Sequence, residues 1–136
     1  MPAMGIRGFD HLAITVNDVE RTADFYREVF GAEVLYRERF EDGRFPILTL
    51  VLGANRINVH PSPPRADLVA DHPTPGAIDL CFRWDGPIED AVALLDRHSL
   101  AVVEGPSFRL AADGSKGASV YFRDPDDNLI ELLTTD

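Results

Sequence analysis

Apolar and polar residues alternate along Gly8–Val16, and this pattern predicts a strand with one apolar face. The apolar face carries Leu12, Ile14 and Val16, and the opposite face carries His11, Ala13 and Thr15. The next segment, Val19–Phe30, has apolar residues at helical spacing, with Asn17 or Asp18 as its N-cap and Gly31 as its stop signal. We expect this helix to cover the apolar face of the strand.

Three further strands are predicted before the composition changes. They span Glu33–Phe40, Phe45–Leu52 and Arg56–His60, with a hairpin turn at residues 41–44. On the last of them Arg56, Asn58 and His60 share one face. The segment Pro61–Gly76 then contains five prolines, which forbid a regular helix and indicate an extended linker.

The same order of elements is repeated beyond the linker. Strands are predicted at Ala77–Trp84, Ala101–Glu104, Ala118–Arg123 and Leu129–Leu133, a helix at Ile88–His98, and an irregular polar segment at Arg109–Gly117. The two predicted helices begin 69 residues apart, at Val19 and Ile88, and a nearly equal offset of 68 residues sets His11 opposite Asp79. The repeat predicts an α+β fold in which two βαβββ modules form paired curved mixed sheets around a concave site, with the helices outside.

A chain of 136 residues is long enough for one ordinary domain. We therefore expect a single domain made of module one at about residues 6–60, the proline-rich linker at 61–76 and module two at about 77–134. The single Cys81 excludes an intrachain disulfide and suits a reducing compartment. The first residues lack the apolar region of a signal peptide, and no apolar run is long enough to cross a membrane, so a cytoplasmic location is expected.

The formal net charge of −10 argues against binding to nucleic acid or to an anionic membrane, because the chain has no basic surplus to neutralise phosphate. A small-molecule or metal partner fits this charge better. The dense turn signal DPDDN at residues 124–128 is followed by the apolar strand Leu129–Leu133, which contains one carboxylate, Glu131. A buried carboxylate needs solvent, a cationic partner or a metal ion.

If both helices cover apolar strand faces, the opposite faces of the two modules line a concave cavity of the kind in which ligands bind. These faces carry His11, Asn58, His60, Asp79, Arg83 and Glu131. Imidazole and carboxylate groups converging from separate strands suit a divalent ion such as Zn, Ni, Co, Mn or Fe. Each residue also has a plain structural reading: Glu131 as the partner of Arg83 or Arg123, Asp79 as the partner of Arg83, and the histidines as packed or solvated side chains.

The repeated plan and the stretches FDHLAITV, RINVHPSP, TPGAIDLCF and SVYFRDPDDNLIEL resemble the vicinal oxygen chelate superfamily, which includes glyoxalase I, extradiol dioxygenases, fosfomycin-resistance thiol transferases and metal-free bleomycin-resistance proteins. Small uncharacterised glyoxalase-domain proteins are the most similar members. The resemblance covers nearly the whole chain. It is specific for the superfamily but not for the reaction, because one scaffold hosts several chemistries.

The resemblance implies metal ligands at His11 and Glu131. The fourth-strand ligand position of the glyoxalase pattern falls nearest Asn58, with His60 two residues further on the same face, and we prefer His60 because imidazole is the better ligand. Asp79 stands where related enzymes carry His, which puts the identity and affinity of the metal in question. Further contacts to an anionic substrate group are expected from Asn58, Arg83, Arg109 and Tyr121.

The resemblance implies a metal-dependent lyase or isomerase of the glyoxalase type, acting on a small substrate with vicinal oxygens, with Glu131 as its general base. An extradiol-type dioxygenase using His11, His60 and Glu131 around iron, and a fosfomycin-type thiol transferase, are the catalytic alternatives. The alternative of another class is a non-catalytic drug- or metabolite-binding protein of the bleomycin-resistance type. The resemblance also implies a homodimer.

Overall fold

The computed structural model describes residues 4–136, which separate into two compact units on either side of Pro73 and Thr74. The boundary lies inside the proline-rich segment. Unit 1 contains β1 (Leu12–Val16), α1 (Val19–Phe30), β2 (Glu33–Leu35), α2 (Arg37–Glu41), β3 (Leu48–Leu52) and β4 (Asn55–Pro61). Unit 2 contains β5 (Asp79–Arg83), α3 (Ile88–Arg97), β6 (Glu104–Leu110), β7 (Lys116–Arg123) and β8 (Leu129–Thr134).

Each unit is built on a four-stranded mixed sheet, and the two sheets have equivalent strand orders: β1-β4-β3-β2 and β5-β8-β7-β6. In both units the first strand pairs in parallel with the last, and the remaining pairs are antiparallel. The predicted α+β fold with two repeated βαβββ modules is confirmed. Within residues 4–136, no helix is long and apolar enough to cross a membrane.

One helix packs on each sheet and buries the apolar faces of its strands. Helix α1 is capped by the Asp18 side chain, which accepts from Arg21 N, and it ends at Gly31 in the left-handed conformation, as predicted. The unit 1 core contains Val16, Ala23, Tyr26, Leu48, Leu50 and Val59. The unit 2 core contains Ala91, Leu95, Val120, Phe122, Ile130 and Leu132.

The predicted strand Glu33–Phe40 is wrong in its second half, because the chain leaves the sheet after Leu35. Tyr36 adopts a left-handed conformation (φ 67°), and the short helix α2 follows in place of the predicted hairpin turn. This path buries Phe40 and lets Arg37 reach Asp24 of α1 at 2.9 Å. The next strand therefore starts at Leu48, beyond Pro46, rather than at Phe45.

The prediction for the middle of unit 2 also needs correction. No strand spans residues 101–103; β6 starts at Glu104 and runs through Arg109 into the segment expected to be irregular. Gly105, with φ 105°, and Pro106 interrupt the ladder with β7, which resumes at Ser107.

In unit 1, strand β1 begins later than predicted, at Leu12, so that His11 immediately precedes it.

Candidate functional site

The polar face of the unit 2 sheet is centred on Glu131 of β8. In the register of the sheet, Glu131 lies between Cys81 on β5 and Tyr121 on β7. Alternation along the flanking strands brings further polar side chains to the same face. These are Asp79 and Arg83 on β5, Ser119 on β7 and Arg109 on β6.

The Glu131 carboxylate is partly buried and is held by a hydroxyl group. The buried Ser119 donates a hydrogen bond of 2.6 Å to its Oε2 atom. The two arginines that could have neutralised it bond elsewhere: Arg83 donates to the Thr135 hydroxyl at 2.7 Å, and Arg123 to the Asp127 carbonyl at 3.2 Å. Within residues 4–136, Glu131 belongs to no ion pair. Glu131 is therefore not the ion-pair partner of Arg83 or Arg123.

Asp79 opens strand β5 on the same face and is exposed. It is paired in register with Leu129, two residues before Glu131, which sets the two carboxylates roughly 7 Å apart along the strands. Its expected partner Arg83 is engaged with Thr135, and among the described residues Asp79 forms no ion pair and no side-chain hydrogen bond. Two carboxylates at this spacing form a hard oxygen donor set open to solvent.

The DPDDN turn fixes the positions of these two carboxylates. The buried Asp124 carboxylate accepts hydrogen bonds from the backbone N–H groups of Asp126 and Asn128 and from the Asn128 side chain, all at 3.0 Å. The Asn128 side-chain oxygen in turn accepts from Ile78 N at 3.0 Å. Since Ile78 directly precedes Asp79, the turn ties the start of β5 to the start of β8.

Tyr121 and Arg109 form a second polar group beside Glu131. Arg109 Nε donates to the Tyr121 hydroxyl at 2.9 Å, and Arg109 also pairs with Glu104. Desolvation and the Glu131 carboxylate raise the pKa of Tyr121, so the phenol stays protonated at neutral pH. Because Arg109 occupies an acceptor position of the phenolic oxygen, the Tyr121 proton points to the Glu131 carboxylate, and this hydrogen bond also raises the pKa of Tyr121.

Cys81 is the side chain opposite Glu131 on β5. Partial desolvation, followed by the neighbouring Glu131 and Asp79 carboxylates, raises the pKa of Cys81 to about 11. The thiol is therefore protonated at neutral pH. A protonated thiol is a poor nucleophile, although the Cys81 residue is exposed.

In unit 1 the polar face carries His11, Asn58 and His60, and the structure does not bring them together. His11 is about half exposed, and its Nδ1 atom lies 2.8 Å from Asp10. Asn58 accepts a hydrogen bond of 2.8 Å from the Thr49 hydroxyl, which occupies its side-chain oxygen. Of these three side chains, His11 is therefore the one whose ring lies most open to solvent.

The register of β1 and β4 corrects the expectation that His11 and His60 share one ion. Leu12 pairs with Ile57 and Thr15 with His60, so His60 lies four residues along the sheet from the level of His11. At about 3.3 Å per residue this is on the order of 13 Å. Side chains that stand perpendicular to a sheet do not converge over such a distance. The register therefore does not support the predicted dioxygenase triad, in which His11, His60 and Glu131 hold one iron ion.

Neither unit, as described over residues 4–136, brings three His, Cys, Asp or Glu side chains together as a metal site. The donor set nonetheless suits a divalent ion in chemistry: Glu131 is pre-oriented by Ser119 and free of cationic partners, and Asp79 is unpaired. Sequence reasoning missed Ser119. Its signal was the alternation of β7, which puts Ser119 and Tyr121 on the face of Glu131.

Residues 8–132 match the profile of the Glyoxalase/Bleomycin resistance protein/Dioxygenase superfamily. The chain belongs to this superfamily. It is 40% identical over 129 residues to virulence protein STM3117 of Salmonella typhimurium, covering 95% of this chain and 85% of that protein. It is 41% identical over 129 residues to the glyoxalase domain-containing protein RDO1 of Mycosarcoma maydis, covering 95% of this chain and 69% of that protein.

Solved structures of similar proteins confirm the fold. The crystal structure of STM3117 superimposes with a TM-score of 0.84 at 37% identity, covering 96% of this chain and 98% of that one. An integron cassette protein from the mobile metagenome of V. cholerae superimposes with a TM-score of 0.86 at 34% identity, covering 98% and 99%. These superfamily relatives leave the reaction open.

Proposed function

We propose that this protein is a divalent-metal-dependent enzyme of the glyoxalase type, a lyase or isomerase acting on a small substrate with vicinal oxygens. The observation that carries the proposal is the Glu131 carboxylate, which lies on a polar sheet face without an ion-pair partner among the described residues and accepts a hydrogen bond from the buried Ser119. Leaving such a carboxylate without a structural counter-ion costs stability unless it has a functional role.

The proposed ligands on the polar face of unit 2 are Glu131 and Asp79. In unit 1, His11 remains the predicted ligand, and His60 is not included because of its position in the register with β1. Two carboxylates form a harder donor set than the two-histidine sets of related enzymes, so Mn, Co or Fe is favoured over Zn. A bound divalent ion would supply Lewis-acid polarisation of the substrate oxygens.

The residues of the chain supply the proton chemistry. Glu131 is the proposed general base, and the Ser119 hydroxyl fixes the direction of its carboxylate. The Tyr121 hydroxyl, oriented by Arg109, is the proposed donor to a substrate oxygen on which negative charge develops. Arg83 of unit 2 is proposed to contact a polar group of the substrate, and Asn58 remains the predicted substrate contact of unit 1.

The proposal is tested by proton exchange. A panel of small α-hydroxy ketones, and the glutathione hemithioacetal of methylglyoxal, is incubated with the protein in D2O, and loss of the C–H signal next to the carbonyl is followed by NMR. We expect exchange that stops with EDTA, returns with Mn²⁺, and is lost in Glu131→Gln. Glu89→Gln, which alters an exposed carboxylate on α3, is the matched control and should retain full exchange. Exchange that survives both chelation and Glu131→Gln contradicts the proposal.

The second candidate is a binding protein without chemistry. It is favoured by one observation: within residues 4–136, no three His, Cys, Asp or Glu side chains are grouped as a metal site. Under this alternative the polar face of unit 2 binds a drug or metabolite through Arg83, Arg109 and Tyr121. Binding that is insensitive to EDTA, without turnover of any substrate in the panel, would favour it over the enzyme.

We also infer that the chain pairs as a homodimer, because the superfamily to which it belongs commonly does so. Sedimentation equilibrium provides the direct test. A mass close to twice 15.0 kDa is expected. A single species of monomer mass across micromolar concentrations would contradict the inference.

A further inference from the structure

Unit 1 contains an open cavity of about 690 Å³, bounded by the end of β2, helix α2 and the turn that follows it. Its lining includes Val34 of β2, which is in register with Leu50 of β3, a residue buried in the core. The neighbouring residue on β3, Thr49, is paired with Asn58 and points to the other face of the sheet. The cavity is therefore on the side of the sheet opposite to the polar face of unit 1.

The lining of this cavity carries charges of both signs. Its charged side chains are Arg37, Arg39, Arg44, Glu38 and Glu41. Its apolar part consists of Val34 and the ring of Tyr36, which is 42% exposed. A ligand with one positive and one negative group fits such a lining better than a simple anion or cation, because each of its charges meets an opposite charge.

Two of the three arginines are already neutralised by the protein itself. Arg37 Nη1 lies 2.9 Å from Asp24 of α1, and Arg44 Nε lies 2.7 Å from Asp42. Arg39 is exposed and forms no ion pair within residues 4–136. Arg39 is therefore the guanidinium of the cavity that is available to an anionic group.

Aromatic contacts hold Arg39 in place. Its Cζ atom lies 5.9 Å from the ring centre of Tyr36 and 5.1 Å from that of Phe45, and the two rings are 5.4 Å apart. Cation–π contacts attract the guanidinium without using its N–H groups. These groups can therefore bind both oxygens of a carboxylate, the planar partner that a guanidinium matches best.

Glu38 and Glu41 supply the negative charge of the cavity. They are three residues apart on α2, so they are neighbours on the surface of the helix. Both are exposed, and neither forms an ion pair in the part of the chain that the structure describes. An ammonium group is the cation that such exposed carboxylates can bind without losing all of their water.

We propose that this cavity binds a zwitterionic amino acid with an aromatic or apolar side chain. The carboxylate of the ligand binds Arg39, its ammonium group lies near Glu38 and Glu41, and its side chain packs on Tyr36 and Val34. The volume is within the range of small-molecule sites. Because the cavity is on the opposite side of the sheet from the polar face, binding is independent of metal.

The test compares three probes that share one phenyl ring. L-Phenylalanine carries both charges, 3-phenylpropionate lacks the ammonium group, and phenethylamine lacks the carboxylate. Each is titrated into the full chain in the presence of EDTA, and the amide shifts of residues 34–44 are followed by NMR. Because a charge-assisted hydrogen bond contributes about tenfold in affinity, L-phenylalanine should bind roughly tenfold more tightly than either of the other probes.

Two exposed substitutions separate the two charges. Arg39→Gln should weaken L-phenylalanine and 3-phenylpropionate by about tenfold without weakening phenethylamine. The double variant Glu38→Gln with Glu41→Gln should weaken L-phenylalanine and phenethylamine without weakening 3-phenylpropionate. Arg97→Gln, in the last turn of α3 in unit 2, makes the same charge change as Arg39→Gln and should leave all three affinities unchanged.

Three results would overturn the proposal. These are an absence of L-phenylalanine shifts at residues 34–44, an unchanged L-phenylalanine affinity in Arg39→Gln, and equal affinities for L-phenylalanine and 3-phenylpropionate. Since EDTA is present throughout, each of them is distinct from a failure of the metal-dependent function.

Discussion

The hydroxyl of Ser119, buried within unit 2, donates a hydrogen bond of 2.6 Å to Oε2 of Glu131 on the neighbouring strand. The pair connects the interior of the sheet to its polar face. A carboxylate oriented in this way loses less freedom when it binds a cation or accepts a proton than one that rotates freely.

Removing the hydroxyl should loosen the carboxylate without unfolding the protein. Ser119→Ala is expected to weaken Mn²⁺ binding by roughly tenfold, the usual effect of losing an outer-shell partner of a ligand. The affinity can be measured by competition with a chelating dye. Ser107→Ala is the matched control, because Ser107 pairs with Ser119 across β6 and β7. The Mn²⁺ affinity of the Ser107→Ala variant should stay at the wild-type level. Equal affinities for the two variants would show that Ser119 has no positioning role.

The DPDDN turn should contribute much of the stability of unit 2. Asn128→Ala removes the acceptor of Ile78 N and the donor to Asp124, so buried polar groups lose their partners. We expect the free energy of unfolding to fall by about 3 kcal/mol, measured by urea denaturation. Asp127→Gly, at a neighbouring exposed position with φ 66°, should change it by less than about 0.5 kcal/mol. A similar loss in both variants would contradict this account of the turn.

The Cys81 thiol should react slowly. With a pKa of about 11, its thiolate fraction at mildly alkaline pH is far below that of a free cysteine, and alkylation by iodoacetamide should be at least about tenfold slower than that of a model thiol. Glu131→Gln removes a negative charge that raises the pKa, so it should accelerate alkylation of the metal-free protein. Fast labelling of the wild type, or no acceleration in Glu131→Gln, would contradict the assigned environment.

Burial of His60 should make stability depend on pH. The pKa of His60 is lower in the folded protein than its usual value of 6.5, so the unfolded chain binds more protons near and below that pH. This contribution to stability is therefore present above pH 6.5 and is lost as the pH falls below it. The melting temperature of His60→Leu should decline less between about pH 7.5 and 5.5 than that of the wild type. His98→Gln should decline as the wild type does.

Much of the fold could be predicted from local signals. Helix α1 has the predicted bounds because Asp18 and Gly31 are strong cap signals, and β8 follows the DPDDN turn as expected. Helix α2 could not be predicted, because Glu33–Phe40 alternates like a strand. Its position depends on the contacts of Arg37 with Asp24 and Glu20 of α1, which are not visible in the local pattern.

The candidate site could also be predicted only in part from the sequence. Alternation alone assigned Glu131, Asp79 and Asn58 to polar faces. Whether two residues on one face can share a ligand depends on the register between strands, and the register of β1 and β4 separates His11 from His60. The sequence contained no turn joining these strands that could have set that register, because parallel strands are joined by long connections.

Metal binding to the intact chain tests the central claim most directly. Protein purified without chelator, then titrated with Mn²⁺ in a calorimeter, should bind the ion stoichiometrically. Glu131→Gln and Asp79→Asn should each abolish most of that binding, whereas the surface control Glu89→Gln should bind as the wild type does. The account is contradicted if no divalent ion binds, or if binding is unchanged when Glu131 or Asp79 is replaced.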